Sequence, residues 1–302
     1  MDRRHFLTGL AASVFVAGHT RLAFAAPTVS RAVIPLWQGE PPGGGGPTGN
    51  LIISATGAQR NIALPTLTMI RPAVPRGQAV LIAAGGGYKR IEMGKEAWPA
   101  AEWLVARGIT AYVLSYRLPG EGWKDGNRVS LQDAQRALRM VRQREKQVSV
   151  LGFSAGGHLL GLAATRSDYP SYAPQDDIDQ LPATADRAAL IYPIITLEQP
   201  YTHTSTHRIL VGPHASATEN AAWSVQNYVR PQSPPFFLVQ AEDDPVSNPE
   251  NTLIMEHACE QQHVAVELHR YSRGGHGFGM GRPGTPTVAW PGLYEKWLSR
   301  LV

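Results

Sequence analysis

The sequence predicts an α/β protein: a mainly parallel central sheet covered by helices on both faces. Three observations carry this. The run Ala79–Ala84 is short and continuously apolar, as in a strand buried on both faces, and Ile109–Ser115, Val148–Leu151, Ala188–Tyr192 and Pro235–Gln240 are short, mostly apolar runs that also read as strands. Stretches of helical spacing alternate with them, which implies parallel strands joined by crossover helices. The chain has 302 residues, 43% hydrophobic and 17% charged, enough apolar content for one large domain and too much for a disordered chain.

The elements follow in order. Residues 26–50 read as a loose lead-in, because Pro41-Pro42-Gly43-Gly44-Gly45-Gly46-Pro47 suits neither helix nor strand. That glycine run is no phosphate loop, since no Gly-Lys-Ser/Thr follows it. Leu67–Ile70 and Ala79–Ala84 are strands. Lys95–Arg107 sets Trp98, Ala101, Leu104 and Val105 on one side of a helix that Gly108 stops. After the strand Ile109–Ser115, Ser130 is placed to cap a helix to about Lys146, with Leu131, Ala134, Leu138 and Val141 as its core stripe. Val148–Leu151 is a short strand, and a helix ending near Arg166 follows. Residues 167–186, polar and rich in Pro and Asp, are a loop or insertion. Ala188–Tyr192 is a strand. Residues 196–234 are irregular, with a short helix near Asn220–Asn227. Pro235–Gln240 and Ala265–Tyr271 are strands around a helix over Pro249–Gln262, and a terminal helix spans Trp290–Leu301. One domain, residues 26–302, accommodates them all.

Charge is nearly neutral on the question of partners. The 28 basic and 24 acidic residues give +4, too little to argue for nucleic acid or an anionic membrane surface. The densest basic stretch, Arg136, Arg139, Arg142, Arg144 and Lys146, reads as the solvated face of a helix. The single cysteine, Cys259, excludes an internal disulfide and a multi-cysteine zinc module, and reads as core.

Residues 1–25 read as an address. Asp2-Arg3-Arg4-His5-Phe6-Leu7 carries a twin-arginine pair, a short apolar stretch follows, and Ala23-Phe24-Ala25 is a small-x-small cleavage pattern. This resembles a twin-arginine (Tat) signal, the route that exports folded proteins. It implies contact with the Tat machinery, cleavage, no stable membrane insertion afterwards, and a periplasmic or secreted mature protein.

Gly152-Phe153-Ser154-Ala155-Gly156 fits Gly-x-Ser-x-Gly between a short strand and a helix. A serine at the tip of so tight a turn needs strained backbone angles, and the glycines leave room for it. The following helix aims free N–H groups at a developing oxyanion. Ala84-Gly85-Gly86-Gly87-Tyr88 leaves the preceding buried strand, so its backbone can approach a reacting atom. The candidate oxyanion donors are the N–H groups of Gly86, Gly87 and Ala155.

Ser154 needs a base, and the base an orienting carboxylate. Gly274-Gly275-His276-Gly277-Phe278-Gly279 and Glu242-Asp243-Asp244-Pro245-Val246 each leave the end of a predicted strand, and Ser, Asp, His is an order that serine hydrolases use. His276 is the candidate base. Asp244 is the candidate acid with Asp243 as runner-up, since neighbouring side chains in a turn diverge and one should reach His276. His203 and His207 have the spacing of helical metal ligands, but Tyr201–His207 is β-branched and polar, a poor helix. His158 reads as a packed helix residue. Tyr88 and Trp123 are candidate pocket residues, as are Trp98 and Trp290, because aromatic faces suit sugar rings.

The motifs AGGGY at 84–88, KEA at 95–97, SYRLP at 115–119, LQDAQRALRMVR at 131–142, GFSAGGHL at 152–159, IYP at 191–193, PPFFLVQAEDDPV at 234–246 and GGHGFG at 274–279 resemble the α/β-hydrolase fold. More narrowly, they resemble bacterial carbohydrate esterases of the acetylxylan-esterase type, relatives of hormone-sensitive-lipase-like enzymes. The resemblance implies Ser154 as nucleophile, His276 as base and Asp244, before Pro-Val, as acid. Where the related lipases open the oxyanion loop with His, this chain has Ala84. The implied activity is removal of acetyl or other short acyl groups from xylan-type carbohydrate, with no cofactor and no metal. A short-chain carboxylesterase, a serine peptidase and a non-catalytic sugar-binding relative are the alternatives. An aromatic-lined cleft would favour sugars, and a narrow apolar tunnel would favour lipid-like esters.

Overall fold

The computed structural model describes residues 28–300. The expected export signal at residues 1–25 and the expected end of the last helix at Leu301 lie outside them. Ten strands are described: β1 (Ser30–Pro35), β2 (Ile52–Ile53), β3 (Gln59–Arg60), β4 (Thr66–Arg71), β5 (Gln78–Ala83), β6 (Thr110–Ser115), β7 (Gln147–Phe153), β8 (Arg187–Ile191), β9 (Phe236–Ala241) and β10 (Val266–Tyr271). Eight of them form one sheet in the order β1-β4-β6-β5-β7-β8-β9-β10, and β2 and β3 pair separately. From β6 to β10 every neighbour is parallel, while β1 and β4 add antiparallel at one edge. Every residue of β6, β8 and β9 is buried, which is why their sequences do not alternate.

The helices are α1 (Trp98–Val105), α2 (Val129–Arg142), α3 (Ala155–Thr165), α4 (Ser205–Leu210), α5 (Ala217–Ala222), α6 (Glu250–Gln261) and α7 (Trp290–Ser299). From β5 the chain steps one way through α1 to β6, then turns back through α2 to β7. Right-handed crossovers therefore set α1 and α2 on opposite faces. α3 packs beside α2, and Trp103 of α1 stacks on Tyr294 of α7 across the other face, centroids 5.9 Å apart.

Four expectations are corrected. Residues 30–35 of the lead-in are not loose, because β1 pairs with β4 along its whole length. Ser130 is not a cap: α2 starts at Val129, and the Ser130 hydroxyl donates to the Arg117 carbonyl at 2.6 Å. A helix does form at Ser205–Leu210, because the Thr204 hydroxyl accepts the His207 N–H and caps it. The arginines of α2 are not a solvated face. Arg136 is buried and donates to Asp176 and Asp179, Arg139 to the Leu181 carbonyl, and Arg142 to the Thr184 carbonyl and Asp186. They bind residues 167–186 to α2. Arg117 and Asp133, both fully buried, join the β6 exit to α2 in the same manner.

Candidate active site

Register explains how distant residues meet. Ala83 pairs with Gly152, Phe153 with Ile191, Ile191 with Val239, and Ala241 with Tyr271. The loops after β5, β7, β8, β9 and β10 therefore leave the same carboxyl edge side by side.

Ser154 follows β7 with φ 50° and ψ −117°, a conformation that costs a non-glycine residue on the order of 1–3 kcal/mol. Its N–H donates to the Ile191 carbonyl at 2.9 Å, which fixes the turn. The tightness dictates the flanking residues. A Cβ on Gly156 would collide with the Ala83 and Ala84 carbonyls, and one on Gly152 would lie 2.5 Å from the Gly156 carbonyl oxygen.

The Ser154 hydroxyl lies 2.8 Å from His276 Nε2, and His276 Nδ1 lies 2.8 Å from Asp244 Oδ2. A carboxylate only accepts, so Nδ1 carries the proton and Nε2 is free to accept from the serine. Asp244 is 7% exposed. Its Oδ1 accepts the N–H groups of Val246 and Ser247, and its Oδ2 also accepts Gln240 Nε2. Asp243 turns the other way: its Oδ1 accepts the N–H groups of Gly274 and Gly275, which hold its carboxyl below the usual carboxylate range.

The glycine loop after β5 crosses directly over Ser154: a Cβ on Gly85 would lie 2.7 Å from Ser154 Cβ. Gly86 and Gly87 follow with φ of 120° and 63°, and Ala155 opens α3, so its N–H has no intrahelical acceptor. Below the loop sits the buried carboxylate of Glu96. Burial raises it to about 7, against the N–H of Gly85 and the hydroxyl of Tyr192, which favour its charge.

The profile of the BD-FAE family matches residues 72–258, which include the glycine loop, Ser154 and Asp244. The chain belongs to the BD-FAE family. An acetylxylan esterase of Xylanibacter ruminicola is 30% identical to this BD-FAE chain over 224 residues, 70% of this chain and 43% of that one. An endo-1,4-β-xylanase B of Butyrivibrio fibrisolvens is 31% identical over 230 residues, 72% of this chain and 34% of that one. The chain thus spans less than half the length of these curated relatives. The crystal structure of an acetyl ester-xyloside bifunctional hydrolase from Caldicellulosiruptor lactoaceticus superposes with a TM-score of 0.74 at 29% identity, covering 89% of this chain and 96% of that one. The fold is the α/β-hydrolase fold.

A cavity of about 470 Å³ opens over Ser154 and His276. Gly86, Gly87, Ile194, Thr204, Ser205, Thr206 and Val246 line it, with Lys89, Arg90, Lys95 and Arg282 at its mouth. Residues 196–234 thus contribute to the wall, and residues 167–186 do not.

The expected aromatic lining is absent among the described residues. Tyr88 is 1% exposed, with its hydroxyl 3.0 Å from His158 Nδ1 and its ring edge-on to Tyr116. Trp123 is held away from Ser154, with Gly46 against one part of its ring and the Arg117 guanidinium 4.9 Å from its centroid. Trp98 lies under Arg31 at another surface. Trp290 is fully buried and donates from Nε1 to the Gly279 carbonyl, so it braces the His276 loop instead of touching the cavity. His203 and His207 have separate partners, the Val246 carbonyl and Asn220, and among the described residues no acidic, cysteine or histidine group is arranged to hold a metal. His158, as expected, is a packed helix residue. Glu96 and Tyr192 lie within KEA and IYP, and sequence reasoning gave neither a role. The sequence carries little signal for Glu96, since its neighbour Lys95 on the same turn is exposed.

Proposed function

We propose that the protein is a serine esterase that removes acetyl or other short acyl groups from xylan-type poly- or oligosaccharides. The observation that carries this reading is the unbroken line from Ser154 through His276 to Asp244 beneath a glycine loop, in a chain similar to an acetylxylan esterase. Ser154 Oγ attacks the ester carbonyl while His276 Nε2 takes its proton. The N–H groups of Gly86, Gly87 and Ala155 receive the negative charge that develops on the carbonyl oxygen. As the tetrahedral species collapses, the bond to the sugar oxygen breaks and His276 returns the proton to it. Water then attacks the acyl-Ser154 ester, with His276 again taking and returning a proton, and releases the acid. Asp244 holds the Nδ1–H tautomer and stabilises the imidazolium.

The mouth supports a hydroxyl-rich substrate more than an apolar one. Among the described residues, Ile194 and Val246 are the only large apolar side chains that line it, which does not make the narrow apolar tunnel that a short-chain carboxylesterase for lipid-like esters would need. The test is acetate release from acetylated xylan and from an aryl acetate, by wild type and Ser154→Ala. Cleavage of both, abolished by the substitution, is expected. Cleavage of the aryl acetate alone would sink the carbohydrate assignment.

We also propose Tat-dependent export and a periplasmic or secreted mature protein, supported by Arg3-Arg4 and Ala23-Phe24-Ala25. Exported protein should begin at Ala26, and one that still begins at Met1 would count against cleavage.

A further inference from the structure

Glu96 occupies one turn of π-helix, Met93–Ala97, just before α1; such turns recur at functional sites. Its side chain is 4% exposed. One oxygen, Oε2, accepts the Gly85 N–H at 2.6 Å, in the loop that lies over Ser154. The other, Oε1, accepts the Tyr192 hydroxyl at 3.0 Å. That hydroxyl in turn accepts the Gly279 N–H at 3.0 Å, three residues beyond His276. The Tyr192 ring stands edge-on to the His276 ring, centroids 5.0 Å apart, and against Phe278 at 4.4 Å. Tyr192 has φ 40°, a strained backbone that its surroundings must hold in place. The base loop also rests on the turn itself: a Cβ on Gly279 would lie 2.8 Å from the Lys95 carbonyl.

We propose that Glu96 is a positioning residue for the esterase reaction, its carboxylate tying the oxyanion loop at Gly85 to the His276 loop at Gly279 through Tyr192, so that oxyanion donors and base share one frame. This rests on the reading of Ser154, His276 and Asp244 given above. Sub-ångström placement of donors and base governs the rate of such a reaction, and among the described residues no other buried side chain bonds to the oxyanion loop and, through one hydroxyl, to the base loop. Glu96 faces Glu92 on its own turn, Tyr116 beyond β6, Tyr192 beyond β8 and His276, while Lys89, Arg90, Lys95 and Arg282 stand at the mouth. Burial lifts its own ionisation to about 7, inside the working pH range.

The experiment uses purified Glu96→Gln, Tyr192→Phe and the double variant, with an aryl acetate as probe across pH 5–9. Glu96→Gln keeps the size and removes the charge. The expected result is a kcat lower by roughly 10- to 100-fold at little change in KM. The ionisation that burial lifts to about 7 leaves the pH profile of kcat together with the carboxyl group. Tyr192→Phe should lower kcat by a similar factor and keep that ionisation, and the double variant should lose less than the product of the two. Wild-type kcat in Glu96→Gln, or a loss with an unchanged pH profile and additive double variant, would overturn the proposal. Ser154→Ala run alongside keeps the two readings apart: if it retains activity, the nucleophile assignment fails, whatever Glu96 does.

Discussion

Asp243 and Asp244 are sequence neighbours whose carboxylates hold one loop from two sides. Asp244 Oδ2 takes the His276 Nδ1–H at 2.8 Å, and Asp243 Oδ1 takes the Gly274 and Gly275 N–H groups at 2.7 Å each. One orients the imidazole, and the other shapes the backbone that carries it. Asp244→Asn should cost about 10⁴-fold in kcat, because the amide favours the wrong tautomer of His276. Asp243→Asn keeps an oxygen acceptor and should stay within roughly tenfold of wild type, with Asp243→Ala slower. Steady-state rates on an aryl acetate decide this, and a larger loss from Asp243→Asn than from Asp244→Asn would reverse the two roles.

Gly87 and Ser205 give a second test. A Cβ on Gly87 would lie 1.9 Å from Ser205 Oγ, and Gly87 has φ 63°, so Gly87→Ala must turn the Ser205 hydroxyl aside or push the oxyanion loop off the α4 wall. The expected outcome is a kcat lower by about 10²-fold or more, the scale on which oxyanion donors act. Removing the clashing hydroxyl in Gly87→Ala/Ser205→Ala should recover part of it. The backbone cost remains, so recovery is incomplete. No recovery at all would mean that the packing against Ser205 is not what holds the loop.

Two buried groups pull stability in opposite directions with pH. His158, fully buried between the Tyr88 hydroxyl and the Trp223 carbonyl, is lowered by burial to about 4. The unfolded chain then binds the extra proton, so stability is lost as pH falls from about 6.5 to 4, by roughly 3 kcal/mol. Glu96, raised to about 7, works the other way: the folded chain binds the proton, and stability is gained as pH falls from 7 to about 4.5, by a similar amount. In wild type the two offset each other over the shared range. Glu96→Gln removes the gain, so its urea midpoint should fall more steeply on acidification than wild type. His158→Gln should do the reverse. Parallel midpoint-versus-pH curves for all three proteins would refute both assignments.

The legible parts of this molecule are those whose physics is local. Continuous apolar runs mark strands buried on both faces, and the glycines around Ser154 and before Tyr88 mark close backbone approach. What stayed hidden depends on partners distant in the chain. The alternation in β1, Ser30–Pro35, is short, and its pairing partner β4 begins about thirty residues later. The arginines of α2 looked solvated because the acids that bury them, Asp176, Asp179 and Asp186, lie in a segment with no regular pattern. The α4 helix is nucleated by its Thr204 cap against poor intrinsic propensity. Tyr88 and Trp123 were credited to the cavity because an aromatic beside a loop motif shows no direction in sequence. Glu96 needed Gly85, Tyr192 and Gly279 together before it had a role.

Charge takes the place at the cavity mouth that aromatic rings were expected to fill. Lys89, Arg90, Lys95 and Arg282 stand around it; Arg90 is paired with Glu92, while Arg282 donates to the His276 carbonyl and so keeps its full charge. Exposed cations act over about 8–10 Å at ordinary salt, far enough to reach a sugar next to the one being deacylated. Acetylated xylan carrying uronic-acid branches should therefore be hydrolysed with a lower KM than the same polymer after removal of those branches. The advantage should shrink between 50 and 500 mM salt, as screening requires. Lys89→Glu should remove it through KM while leaving kcat on a neutral aryl acetate within about twofold, since that side chain touches neither the reacting atoms nor the His276 loop. Equal KM for the two polymers at 50 mM salt would show that the rim is only a solvated surface.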